Sequence, residues 1–171
     1  MKKLNYLLLS VFALASLAVC TRLVPHPQNF TPLAAIAIFS GAMLGKKWYA
    51  FAVPVAIRLV SDLLLGAPLY SSMWAVYLSM GLVVVMGMFM CANMRFRNVF
   101  ATALLSAVAF FIITNFACWL EGWYGYSFQG LMNCYVAAIP FFRMDILSTM
   151  VYSIGFWGIY QVAVKTVPAL R

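Results

Sequence analysis

The segment WAVYLSMGLVVVMGMFMC, from Trp74 to Cys91, carries no charged side chain. A helix that crosses a membrane needs about 20 predominantly apolar residues, with roughly 17 as the lower limit. This stretch meets that requirement, and it is not alone. Apolar runs separated by short polar breaks extend over Leu4–Cys20, Leu33–Leu44, Trp48–Leu65, Trp74–Cys91 and Val99–Trp119. A sixth begins between Tyr135 and Asp145 and ends near Val164. The breaks between them are too short to hold a separate domain.

Composition points the same way. Of 171 residues, 66% are hydrophobic and 8% are charged, whereas about a quarter of a soluble domain is charged. The chain lacks the polar surface to face water. Disorder is excluded by the same figures, because disordered chains are poor in apolar residues and rich in charge. The expected fold is therefore all-α: one domain over residues 1–171, a polytopic membrane bundle of six transmembrane helices.

The net charge of +8 suggests nucleic acid only until the cations are placed. Lys2 and Lys3, Lys46 and Lys47, Arg95 and Arg97, and Lys165 and Arg171 all fall on one side if the segments alternate. The other side has Arg22 and, near a membrane edge, Arg143. That asymmetry is the positive-inside pattern, and it puts both termini in the cytoplasm with no nucleic-acid partner. A signal peptide is the rival reading of Met1-Lys2-Lys3 and the apolar run that follows. Val19, however, is bulky where a cleavage site before Cys20 wants a small residue.

In this topology the polar residues gather outside, in Thr21–Pro32, Gly66–Met73 and Glu121–Cys134. The first of these elements holds Arg22, His26, Gln28, Asn29 and Thr31, and Pro25, Pro27 and Pro32 stiffen it. It reads equally as a binding lip and as a plain connector. His26 has no second histidine to join it, and no metal-ligand spacing appears. Segment two is short, and a short helix at membrane depth often lies beside a ligand site. Ala37 and Gly41 in it have a small-xxx-small spacing suited to close packing.

Asp62 follows Arg58 by one helical turn, which sets both on one face. A carboxylate in an apolar run needs a partner or a wet cavity. It reads either as half of a structural pair or as a substrate-binding or proton-linked group. Thr114-Asn115 inside segment five reads as interhelical glue or as cavity lining. Trp119, Trp123, Tyr124, Tyr126, Phe128 and Tyr135 suit an interfacial aromatic belt or a stacking platform. Pro140-Phe141-Phe142 reads as a break at the start of segment six. Cys118 and Cys134 both lie on the outer side, where either a disulfide or a soft ligand role for Cys134 is conceivable.

The run from Arg22 through Pro25, His26, Asn29 and Pro32 into Ala34-Ala35-Ile36-Ala37 resembles the start of a family of uncharacterised bacterial membrane proteins. So do Ser61-Asp62 with Gly66, Thr114-Asn115 with Trp119, and Gly130 to Tyr135 with Ala138 to Phe142. That family is described as similar to the substrate-binding S components of energy-coupling-factor (ECF) transporters. The resemblance spans Arg22 to Phe142. It implies an outward pocket for a vitamin-like or other micronutrient, and a separate module of a coupling membrane protein with ATPase subunits. Ala13, Ala15 and Ala18 do not give the Ala-xxx-Ala spacing by which S components often dock that module, so a solitary transporter stays open.

The expected protein is a multi-pass subunit of the bacterial inner membrane that binds a small solute from outside. Its candidate substrate-binding residues are Arg22, His26, Asn29, Asp62, Tyr77, Asn115, Trp119, Asn133, Cys134 and Tyr135, without cofactor or metal. No GxxxxGK[ST] occurs, so ATP hydrolysis by this chain is not expected. An envelope scaffold and a membrane-embedded enzyme built on His26 and Asp62 are the alternatives.

Overall fold

The computed structural model describes residues 20–25, 27–67, 70–90 and 93–166. Among them the chain is helical and forms no strand. Residues 20–23 are helical, and five longer helices follow: α1 (Leu33–Leu44), α2 (Tyr49–Leu64), α3 (Met73–Met90), α4 (Phe96–Leu120) and α5 (Phe128–Thr166). Three of these, α3, α4 and α5, are long and apolar enough to cross a membrane. Most of segment one, with Ala13, Ala15 and Ala18, lies outside the described residues, as do His26 and Cys91.

The shortest helix is the axis of the bundle. α1 is apolar on every side, and such a helix belongs inside. Ala35, Ala37 and Ile38 have no exposed surface at all, and α1 packs against α2, α3, α4 and α5. It stops where Gly45 turns to φ 64° and donates its N–H to the Gly41 carbonyl. Only glycine takes that left-handed conformation freely.

The tightest packing is between α1 and α3, and it depends on two glycines. A Cβ on Gly41 would stand 2.0 Å from the Val84 carbonyl oxygen, and one on Gly87 would stand 2.0 Å from the Ile38 carbonyl oxygen. Each helix thus presents bare backbone to the other, the close approach that small residues allow within membranes. Gly41 was legible in the sequence through its spacing from Ala37; its partner Gly87 was not. The outer shell is apolar instead, with Leu63, Phe89 and Ile159 among many exposed side chains.

One expectation needs correction. Helix α5 begins at Phe128 and continues through Pro140, so the stretch Glu121–Cys134 is a loop only in its first half. Proline removes one backbone donor and disfavours helix in water, but inside a membrane bundle neighbouring groups can compensate. At 1.5 Å per residue, a helix of 39 residues is about 58 Å long, roughly twice the thickness of a bilayer's hydrocarbon core.

Candidate functional site

Arg22 meets the end of α2, and Glu121 meets the turn that leads into α3. The central feature is a charge cluster. Arg22 is 9% exposed and Asp62 is 5% exposed. Arg22 Nη2 donates to Asp62 Oδ1 at 2.6 Å, and Arg58 Nε donates to Asp62 Oδ2 at 2.6 Å. Arg22 Nη1 donates to the Ser61 hydroxyl and, at 3.4 Å, to the Arg58 carbonyl. The predicted one-turn pair Arg58–Asp62 is present, and Arg22 adds a second cation from forty residues away. Burying such charges costs several kcal/mol per ion unless each is paired and bonded, and here Asp62 is bonded through both oxygens.

A cavity of about 440 Å3 opens beside this cluster, within the roughly 300–1,000 Å3 range of small-molecule sites. Arg22, Arg58, Gln28, Asn29, Thr31 and Asp145 supply its polar wall. Leu33, Ala34 and Ala37 of α1, Val76, Met80 and Val83 of α3, and the rings of Phe110 and Phe141 supply the apolar one. The short helix α1 therefore does lie beside a cavity. A smaller cavity of about 120 Å3 adjoins the first, sharing Asn29, Phe110, Phe141 and Asp145 and reaching Thr114 and Asn115.

Asn29 stands at the junction of both. It adopts φ 63°, a left-handed conformation that Asn tolerates better than most residues. The turn is held by Phe30 N–H on the Pro27 carbonyl at 3.0 Å and by the Ser148 hydroxyl on the Asn29 carbonyl at 3.2 Å. The Pro27-Gln28-Asn29 lip is thereby anchored to α5.

The ten expected site residues divide into groups. Arg22 and Asn29 line the main cavity, and Asp62 fixes the orientation of its two arginines. Asn115 lines the smaller cavity, but its amide nitrogen donates back to the Phe111 carbonyl at 2.7 Å. Tyr77 lines neither; its hydroxyl is buried without a hydrogen-bond partner among the described residues and lies within electrostatic range of Asp62 and Arg58. Cys134 is buried behind the smaller cavity, with its thiol on the Asn115 carbonyl at 3.4 Å and Cys118 adjacent. Tyr135 braces α5 on α4 through its hydroxyl and the Ile112 carbonyl, 2.7 Å apart.

Trp119 and Asn133 are away from both cavities. The Trp119 indole N–H caps the Gly125 carbonyl at 3.0 Å, and Asn133 accepts from Gln129 on an exposed face. His26 lies outside the described residues.

Asp145 was missed as a site residue, although the sequence placed it at the start of segment six. It lines both cavities, and its buried Oδ2 has no hydrogen-bond partner among the described residues. The signal was its rarity: the chain has three acidic residues, and an acid within an apolar segment is a functional candidate by default. Phe110 and Phe141 were hidden by their sameness to the many other aromatics.

Outside the cavities, the Trp123 indole N–H donates to Glu121 Oε2 at 3.1 Å, and Ser71 and Ser72 stand near the same carboxyl. The Ser71 hydroxyl, with smaller contributions from Ser72 and the Trp123 indole, holds that carboxyl below the usual 4.5. No cluster of three or more metal-ligating side chains occurs among the described residues.

No curated protein and no solved structure matches the chain. A family of unknown function (DUF6580) matches residues 2–170, and the chain belongs to that family.

Proposed function

We propose that this protein is a solute-capture subunit of the bacterial inner membrane, similar in role to an ECF S component. The observation that carries the reading is the cavity of about 440 Å3, whose wall combines two arginines, Asn29 and Asp145 with apolar and aromatic side chains. A few convergent polar groups within an apolar pocket is the usual composition of a small-molecule site. In the proposed topology the chain spans six times with both termini cytoplasmic, so the cavity faces outward. A vitamin-like or other micronutrient enters between the 20–32 lip and α5. Release inward follows a conformational change driven by a partner, a coupling membrane protein with ATPase subunits.

Native mass spectrometry of the purified chain tests this. The expected result is a co-purified small molecule that is lost when Asn29 and Arg58 are both replaced by Ala. A protein that carries no small molecule and shows no uptake defect on those changes contradicts it.

A further inference from the structure

The charges around the main cavity are unevenly used. Arg58 spends Nε on Asp62, and its two terminal nitrogens make no hydrogen bond among the described residues. Its side chain is 20% exposed and lines the cavity. The terminal fork of a guanidinium fits a carboxylate or similar anion by two parallel bonds. Asp145 has the opposite need, for its buried Oδ2 has no hydrogen-bond partner among the described residues. A buried carboxylate without a donor or cation is costly.

These two groups do not satisfy each other. Arg58 is on α2 and Asp145 on α5, and those helices do not pack together; α1 lies against both. No ion pair joins them among the described residues. Val76, Met80, Val83, Phe110 and Phe141 line the same cavity and give it apolar wall beside the two charged groups. Among the described residues, one partly apolar cavity therefore holds both a guanidinium with free donors and a carboxyl group without a partner.

We propose that the captured solute is a zwitterion, with its anionic group on Arg58, its ammonium group on Asp145 and an apolar linker between. This rests on the solute-capture reading and names its substrate class. A simple anion leaves Asp145 unpaired. A simple cation meets Arg22 and Arg58. A neutral solute leaves both ends unsatisfied, and such unpaired buried groups are what reject a near-isostere.

The test is a thermal-shift titration of the full chain in detergent with 4-aminobutanoate, 6-aminohexanoate and 8-aminooctanoate. Each is compared with the alkanoate and the alkylamine of the same length. At least one amino acid of the series should bind about tenfold or more tighter than both of its matched partners. In Asp145→Asn that preference should shrink, with the alkanoate gaining. The wild-type comparison needs no variant, so a misfolded Asp145→Asn protein does not obscure it. An alkanoate or alkylamine that binds as tightly as its zwitterion overturns the inference while leaving solute capture intact. Failure of every probe to bind overturns the inference too, and the mass spectrum of the co-purified solute then decides the capture reading separately.

Discussion

Arg22 and Asp62 are forty residues apart in sequence and bonded at 2.6 Å, both almost fully buried. The bond ties the end of the 20–23 helical segment to α2, and it leaves Arg58 sharing the same carboxylate from the other side. Removing Asp62 therefore strands two guanidiniums. Breaking a buried pair by deleting one partner costs about 3–5 kcal/mol. Asp62→Asn is expected to destabilise the protein within that range, read as a lowered midpoint of thermal unfolding in detergent. A loss no larger than that of an exposed change such as Asn133→Ala would remove the cluster from the account of stability.

The crossing of α1 and α3 makes a graded steric prediction. Gly41→Ala and Gly87→Ala each place a methyl 2.0 Å from a backbone oxygen, and overpacking of this kind costs about 1–3 kcal/mol. Gly155→Ala meets nothing within 4 Å and gains helix propensity. The first two variants are expected to unfold at lower temperature than the parent, and Gly155→Ala at the same or a higher one.

Glu121 gives a pH prediction. Its carboxyl titrates lower in the folded state than its ordinary 4.5, chiefly through Ser71. The folded state thus favours the ionised form. That contribution is fully present above pH 4.5 and disappears as the pH falls through the lower, folded value. Glu121→Gln should flatten the acid side of the unfolding-midpoint profile below pH 4.5 and leave the neutral range unchanged.

Cys118 and Cys134 carry free thiols side by side on α4 and α5. Mild oxidation is expected to join them within one chain, seen as the loss of two alkylation sites without dimer formation. Closing a loop of that length stabilises a protein by at most about 3 kcal/mol.

Filling the cavity separates binding from folding. Ala34 lines the main cavity, so Ala34→Phe has space to occupy. It should abolish solute binding while moving the unfolding midpoint by only a few degrees.

Much of the helical framework was legible because apolar runs and polar breaks are the strongest signals a membrane chain carries. The run Leu33–Leu44 appears as α1 with those bounds, and the ends of α2, α3 and α4 lie within three residues of the apolar runs. The start of α5 was misplaced because Gln129, Asn133 and Pro140 resemble a loop when their neighbours are unknown. At the site, Asp62 could be paired with Arg58 from their spacing alone. Arg22 could not, since nothing local connects residues forty apart. Asp145 carried a signal in the rarity of acids in this chain, but its place on the cavity wall is visible only in the packed structure.

The most direct measurement is the accessibility of one cavity-wall position from outside the cell. Ala34→Cys is introduced into a chain whose four native cysteines are replaced by Ser or Ala, and intact cells are treated with a membrane-impermeant maleimide. The account predicts labelling in intact cells that a co-purified or added solute slows. Labelling that appears only after the cells are permeabilised would contradict an outward-facing capture site.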